Sequence, residues 1–370
     1  MNAEPRPPPA RPEALGLLTR LAMSPRFHKL AARIPGLRWK ARAEGAELFS
    51  ILSGFVQSQA LVALVEGRVL HVLASGPKTT DDLSRHCAIP PAPLLVLLRA
   101  GAALKLLSGD RKGRWHLAPR GAAFLTVPGL EPMVRHHHVL YGDLADPLAF
   151  FRGQTETQLA GFWPYVFGPM AQEDAGLAAR YSRLMAESQV LVAEDTLRLV
   201  DLSMRKHLLD VGGGTGAFLA EVGKVHPALK LSLFDMPAVL AGVPAALRDR
   251  LSLHPGSFLS DPLPGGADTI SLVRVLYDHD DRTVAELLAK VHATLPSGGM
   301  ILVSEPMSGG DRPDPATDVY FAIYTLAMRT GRTRSAAEIG AVLNATGFTD
   351  IRARAGDRPY VTSAVTAIRA

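Results

Sequence analysis

At 370 residues the chain is too long for one small core and predicts two domains with a helical connector. Hydrophobic residues make up 47% and charged residues 20%, the balance of a soluble, globular and rather apolar protein, and the lone cysteine, Cys87, excludes an intrachain disulfide. A net charge of +5 favours an anionic partner or a membrane surface without deciding between them.

The first residues, MNAEPRPPPARPEALGLLTRLAM, place prolines and charges where a secretory leader needs an uninterrupted apolar core, and the first dozen read as disordered. Residues 1–45 form a basic arm. From residue 15 Leu17, Leu18, Leu21, Phe27, Leu30 and Ile34 interleave with Arg20, Arg26, Lys29, Arg33, Arg38 and Lys40, the pattern of a basic amphipathic helix. Such an arm either packs on protein or lies on anionic lipid as a peripheral membrane contact.

Residues 46–128 have the rhythm of a winged helix. A long helix from Glu47 to Leu73 precedes a short helix capped by Thr80, and the prolines of IPPAP mark the turn into a second helix. LKLLSGDRKGRWHLA then alternates around a glycine-containing tip, as a β-hairpin wing does. The second helix, APLLVLLRAGAAL, carries Arg99 as its only charge, whereas a DNA-reading helix needs several Arg, Lys, Asn or Gln. The module is therefore expected to pack and dimerise, with no nucleic-acid partner. The most apolar windows, 53–74 and 94–107, are broken by Glu66, Arg68, Arg99 and Lys105, so neither offers the roughly 18 clean residues of a membrane span.

Residues 129–200 read as a helical connector and substrate-pocket region, rich in aromatics that include Tyr141, Phe150, Phe151, Phe162, Trp163, Tyr165, Phe167 and Tyr181. Most fit a core, and so dense a cluster also suits the wall of an apolar pocket. His136, His137 and His138 resemble a metal site, but adjacent helical residues point about 100° apart and cannot converge on one ion. No metal is expected. From residue 201 strands and helices alternate, which predicts a doubly wound parallel sheet with ligands at the carboxyl ends of its strands. The last two strands follow closely, so one of them is expected to run antiparallel.

The loop LLDVGGGTGAF at 208–218 fits the dinucleotide fingerprint through Gly212, Gly214 and Ala217, with Asp235 near the distance of a ribose-binding acid. An NAD-dependent enzyme is one reading. Asp210 counts against it, because a carboxylate beside the turn repels a pyrophosphate and attracts an ammonium or sulfonium group. S-adenosylmethionine fits better. Gly212, Gly213, Gly214 and Gly216 let the backbone approach it, Asp210 lies near the amino group, Asp235 accepts from the ribose hydroxyls, and Phe258 packs on adenine, with Met236 and Ser257 beside them. Asp235 as a plain helix cap is the alternative.

The motifs LLDVGGGTGAF, LFDMPAVL, PGSFLSDPLP, DTISLVRVLYDHDD, LPSGGMILVSEPM and NATGFTDI resemble, in this order, those of the class I small-molecule O-methyltransferases. The resemblance covers roughly residues 46–370. It implies an α/β fold, a Rossmann-like seven-stranded methyltransferase sheet preceded by an all-helical plus winged-helix N-terminal domain, and a homodimer. SPRFHKLAARIP, LFSILSGFVQSQ, LYGDLADPLAFFRG and FWPYVFG look like the 1-hydroxycarotenoid O-methyltransferases of purple phototrophs, and the bacteriochlorophyllide C-20 methyltransferase is a more distant likeness. The resemblance thus implies a hydroxylated carotenoid as substrate, methylated at its tertiary hydroxyl. A winged-helix protein that senses a nucleotide-like ligand is the non-enzymatic alternative.

The plant relatives use a histidine before an Asp-Trp pair as proton acceptor, but LYDHDD places Tyr277 at that position and His279 at the tryptophan's. Either Tyr277 orients the hydroxyl, or His279 is the base from two positions along, or alignment does most of the work. Glu305 matches a glutamate that orients the family's histidine, and a second such glutamate is replaced by Thr333. The resemblance also places Arg274 and Ser188 against the cofactor and Met185 in the pocket, where Tyr181, Phe162 and Trp163 are expected too.

Overall fold

The computed structural model describes residues 16–161 and 188–370, which divide into two compact units, Met1–Pro119 and Arg120–Ala370. The expectation of disorder over the first dozen residues lies outside the described ones.

In the first unit prolines cut the basic arm into separate helices. Pro25 and Pro35 each stand at a first helical position, where a missing N–H costs nothing, so α1 (Leu17–Ala22), α2 (Pro25–Ala31) and α3 (Pro35–Glu66) follow one another. The long helix therefore starts well before Glu47. It also ends before Leu73, because Arg68 adopts a left-handed φ of 53° and breaks it from α4 (Val69–Ala74). Residues 48–65 carry no charged side chain, and α3 contains an 18-residue window of mean hydropathy 1.8 of which 11% is buried. By length and composition this helix is long and apolar enough to cross a membrane, which corrects the expectation drawn from the neighbouring windows. Leu48, Phe49, Ile51, Leu52 and Phe55 are all exposed along it.

The wing forms as expected, with β1 (Lys78–Thr79), α5 (Thr80–Cys87), α6 (Pro91–Ala103), β2 (Leu107–Gly109) and β3 (Arg114–Leu117) in an antiparallel sheet of order β1-β3-β2. Thr79, one residue earlier than expected, is the cap of α5. Its Oγ1 accepts from the Asp82 N–H at 3.1 Å while its own N–H donates to Asp82 Oδ2 at 3.1 Å. Thr80 instead accepts from Trp115 Nε1 at 3.1 Å and ties the helix to the hairpin.

After α7 (Pro119–Thr126), the second unit opens with α8 (Leu130–Asp143), α9 (Pro147–Phe151) and α10 (Gln158–Gly161). The buried Asp143 accepts from the N–H groups of Gln158 (2.6 Å) and Leu159 (3.0 Å), the start of α10. Seven strands follow: β4 (His207–Val211), β5 (Lys230–Asp235), β6 (Leu251–Pro255), β7 (Thr269–Val273), β8 (Met300–Glu305), β9 (Phe348–Ala355) and β10 (Ser363–Arg369). They stand in the order β6-β5-β4-β7-β8-β10-β9, parallel except for β10, which is antiparallel to both neighbours.

Strands β7 and β8 are buried along their whole length, as strands covered on both faces must be. The helix Asp281–Thr294 shows why: Val284, Leu287, Leu288 and Val291 recur at helical spacing and bury one stripe in the core with Ile270, Leu272, Ile301 and Val303. Each such side chain contributes roughly 1.5–3 kcal/mol. The sheet thereby carries Asp210, Asp235, Val273 and Glu305 at or beside the carboxyl ends of β4, β5, β7 and β8.

Candidate active site

The glycine loop is shaped by what lies beneath it. Gly212, Gly214 and Gly216 have φ of 69°, 63° and 84°, the left-handed region that a Cβ disfavours. A Cβ on Gly213 would run into the Asp210 carboxylate, whereas one on Gly214 would meet nothing within 4 Å. The loop thus clamps down on Asp210 and opens outward at Gly214.

Asp210 is fully buried and accepts from Ser271 Oγ at 2.6 Å, while its Oδ2 has no hydrogen-bond partner among the described residues. Burial pushes its pKa up to about 7, the Ser271 bond opposing and the charge of Asp235 adding to the rise. Asp235 accepts from the Gly214 N–H at 2.8 Å and the Met236 N–H at 2.7 Å, and burial pushes it up to about 6. It does not cap the helix Pro237–Leu240, whose N-cap is Met236. Each of its oxygens accepts one backbone bond and keeps a lone pair for a diol. Two carboxylates with raised pKa under an open glycine turn suit a ligand that brings positive charge and a ribose, so the residues present fit S-adenosylmethionine.

Ser257 and Phe258 follow β6. The Ser257 N–H donates to Asp261 Oδ2 at 2.8 Å, and Lys290 Nζ donates to the carbonyls of Phe258 (2.6 Å), Leu259 (3.1 Å) and Asp261 (3.3 Å). This lysine, which the sequence did not single out, fixes the loop that carries Phe258. A Cβ on Gly212 would lie 3.7 Å from the Phe258 ring, which puts that ring beside the glycine loop.

Arg274 follows β7 with a φ of 58°, a strained conformation for a side chain of its size. Its N–H donates to the Ser304 carbonyl at 2.8 Å, which pins the strain to β8. Its guanidinium donates from Nη1 to Ser188 Oγ at 2.8 Å and from Nε to Tyr277 Oη at 3.2 Å. Ser188, Arg274 and Tyr277 are therefore brought together.

Tyr277 lies in a tight turn, Leu276–Asp278, and its backbone N–H donates to Glu305 Oε2 at 3.2 Å. Glu305 is fully buried and burial pushes it up to about 7, against the hydrogen bond from Tyr277. It holds the backbone of the turn. The phenol of Tyr277 is buried too and held well above its usual range, with Arg274 pulling the other way.

His279 does not join this group. Its ring stands edge-on to Phe258 at 5.2 Å and 89°, and burial pushes its pKa down to about 4. Beneath both lies a brace that sequence reasoning missed: the fully buried Arg334 donates to the Leu276 carbonyl (2.8 Å), the His279 carbonyl (2.8 Å) and Asp281 Oδ1 (2.7 Å). An arginine two positions from a half-exposed Arg332 gives no periodic signal of burial.

The histidine run diverges as expected of adjacent helical residues. His136 Nε2 pairs with Tyr324 Oη at 3.0 Å, His137 Nε2 with Tyr320 Oη at 2.9 Å, and His138 Nδ1 turns to the Arg135 carbonyl at 2.7 Å. The sequence did not single out Tyr320 or Tyr324. The expected pocket residues Phe162, Trp163, Tyr181 and Met185 lie outside the described residues.

A seven-stranded sheet with this reversed last strand, and a glycine loop over two carboxylates, defines a class I S-adenosylmethionine-dependent methyltransferase. The chain belongs to the O-methyltransferase family: the O-methyltransferase domain matches residues 141–349 and the O-methyltransferase dimerisation domain residues 49–127. It is 56% identical over 366 residues to the demethylspheroidene O-methyltransferase of Rhodobacter capsulatus, covering 99% of this chain and 93% of that one. It is 58% identical over 370 residues to the demethylspheroidene O-methyltransferase of Cereibacter sphaeroides, covering 98% and 97%. Among solved structures, human N-acetylserotonin methyltransferase in complex with S-adenosylmethionine is similar with a TM-score of 0.73 and 25% identity, over 88% of this chain and 97% of that one.

Proposed function

We propose that the protein methylates the tertiary 1-hydroxyl of an acyclic carotenoid of the spheroidene or spirilloxanthin type. The observation that carries this reading is the 56% and 58% identity, over nearly the whole chain, to two demethylspheroidene O-methyltransferases. S-adenosylmethionine supplies the methyl group. Asp235 binds the ribose, Asp210 supports the loop at the cationic end, Phe258 packs on adenine, and Arg274 with Ser188 meets the cofactor carboxylate. Gly212, Gly213, Gly214, Gly216, Met236 and Ser257 complete that site.

A tertiary alcohol is hindered and a poor acid, so alignment of oxygen, methyl carbon and sulfur supplies much of the acceleration; good alignment is worth about 7–11 kcal/mol. Tyr277 sets that alignment from the turn that Glu305 holds. The place of His279 against Phe258, and its low pKa, support a packing role beside adenine in preference to that of base.

The exposed apolar face of α3 is the centre of a homodimer interface, a reading supported by the match of residues 49–127 to the dimerisation domain. Light scattering at micromolar concentration tests it, with a dimer expected and a monomer contradicting it. The basic residues of α1 and α2, next to exposed Leu17, Leu18 and Leu30, rest on anionic lipid and bring the enzyme to a substrate that is nearly insoluble in water. Removing residues 1–33 is expected to lower turnover on carotenoid in liposomes more than on a short soluble tertiary alcohol. Equal losses would make the arm structural.

The substrate is tested by incubating the full chain with methyl-labelled S-adenosylmethionine and a panel of 1-hydroxycarotenoids, phenols and bacteriochlorophyllides. Label is expected in the carotenoid methyl ether. Label confined to another acceptor overturns the assignment.

A further inference from the structure

The acceptor hydroxyl must lose a proton, and position 277 is poorly placed to take it. The Tyr277 phenol already accepts from Arg274 Nε at 3.2 Å and burial keeps it un-ionised, so it can orient an acceptor hydroxyl but does not serve as the base. Two other phenols in the same unit carry bases. Tyr320 and Tyr324 come from the π-helix Pro315–Phe321 and the helix Ala322–Met328, and they face His137 and His136 of α8. Their rings stack at 6.1 Å and 25°, and Tyr141 closes the edge of His137 at 6.2 Å.

Four features mark this cluster as chemical in addition to structural. A π-helical turn is uncommon and concentrates at functional sites. All four rings are half-buried, so they face a partly open space. Both imidazoles are held neutral by burial, His136 down to about 4, which leaves a ring nitrogen as acceptor for each phenol. The helix Ala322–Met328 packs against the turn Leu276–Asp278, and the Arg274 guanidinium favours the ionised form of both phenols, against burial, which raises both. Behind the cluster lies an apolar core: Val139, Leu140, Phe150, Leu159, Ala327 and Met328 are buried together, with Ile323 and Tyr324 packed against them. A long hydrocarbon ending in one hydroxyl matches a polar pair set on apolar packing.

We propose that Tyr320 takes the proton of the acceptor hydroxyl and passes its own to His137, with Tyr324 and His136 as a second pair that keeps the site in register. This rests on the proposed O-methylation of an alcohol. As the new carbon–oxygen bond forms, the methyl–sulfur bond breaks and its electron pair stays on sulfur. The acceptor proton moves to Tyr320 Oη, the phenol proton moves to His137 Nε2, and the resulting imidazolium later gives its proton to solvent. Tyr320 is the catalytic residue, and His137 acts through it.

The test uses single-turnover methyl transfer by the full chain in detergent micelles, with a 1-hydroxycarotenoid and labelled S-adenosylmethionine. Tyr320→Phe and His137→Gln are each expected to slow transfer by about 10²–10⁴-fold and to shrink the solvent deuterium isotope effect seen in the wild type. His136→Gln is expected to slow it less than tenfold. Thermal stabilisation by S-adenosylmethionine should persist in all three, which separates a lost relay from a lost fold. Wild-type rates in Tyr320→Phe, or an unchanged isotope effect, overturn the relay. A wild type that transfers label only to a phenol of the panel overturns the substrate reading instead, and the same variant ratios measured on that phenol then decide the relay.

Discussion

The two halves of the sheet's carboxyl edge are built from different materials. At β4 and β5 the site is backbone and short side chains: Gly214 meets Asp235 across 21 residues, Asp235 meets Met236 across one, and Asp210 meets Ser271 across 61. Beside β7 and β8 it is side chains drawn from other segments: Tyr277 to Glu305 spans 28 residues and Ser188 to Arg274 86. A cofactor common to many enzymes is met by a local, glycine-shaped turn. On the proposed reading, a particular acceptor is met by side chains that only the completed fold assembles. Changes on the first side should therefore alter cofactor affinity, and changes on the second should alter turnover or stability.

The largest effect is expected at Gly214. Its Cβ direction is open, so Gly214→Val should leave the fold in place apart from about 1–2 kcal/mol of left-handed strain, yet put a branched side chain where the cofactor lies. Calorimetric titration should detect no binding of S-adenosylmethionine while the circular dichroism spectrum stays native. Measurable affinity near wild type would dissolve the contrast between the two halves.

Arg334 comes next. Arg334→Met leaves the Leu276 and His279 carbonyls without their donor, each worth roughly 1–3 kcal/mol. Urea unfolding should show that loss, and the transfer rate should fall with it because the Tyr277 turn is released. A stability within about 0.5 kcal/mol of wild type would show that the turn stands without its brace.

Asp235 has a smaller effect and a pH signature. Asp235→Asn should weaken S-adenosylmethionine by about 1.5–3 kcal/mol. Burial holds Asp235 at about 6 and Asp210 at about 7, so below those values the free enzyme carries protons on them. A cationic ligand favours the ionised forms, so binding should tighten as pH rises from 5 to 8 and release protons near pH 6. Calorimetry in two buffers of different ionisation enthalpy reads that release directly. The same raised values make the free protein less stable as pH rises through this window, because the unfolded chain has lost protons that the native state still holds. Proton uptake on binding would reverse the assignment.

The smallest effect is expected at His279, where Ala substitution should change S-adenosylmethionine affinity less than tenfold through lost packing on Phe258. A fall of 10²-fold or more in transfer rate at saturating cofactor would restore the imidazole as base.

How much of this could be read from the residues follows the same division. The glycine run, Asp210, Asp235 and Phe258 were visible because each sits at a strand end or turn whose chemistry is local. Alternation of apolar runs showed the sheet, and the close succession of the last two strands showed that one of them runs antiparallel. The end of the long helix was missed because Arg68 breaks it by adopting a left-handed backbone, which no local residue preference foretells. The apolar stretch of α3 lies between Glu47 and Glu66, and a window that begins at Ser53 and runs past Glu66 dilutes it with charge. Arg334, Lys290, Tyr320 and Tyr324 were missed for one shared reason: each acts on a partner more than 25 residues away in sequence. Helical spacing excludes His136 and His137 as joint metal ligands, but nothing in a run of three histidines indicates two tyrosines on another segment.

The most direct test of the division is to measure, in one preparation each, the dissociation constant of S-adenosylmethionine and the single-turnover transfer rate at saturating cofactor for Asp235→Asn and Tyr277→Phe. Asp235→Asn is expected to weaken binding at least tenfold and keep the rate within about threefold. Tyr277→Phe is expected to keep binding within about threefold and slow transfer at least tenfold. If both variants lose affinity and rate in equal proportion, the two halves act as one site and the account is contradicted.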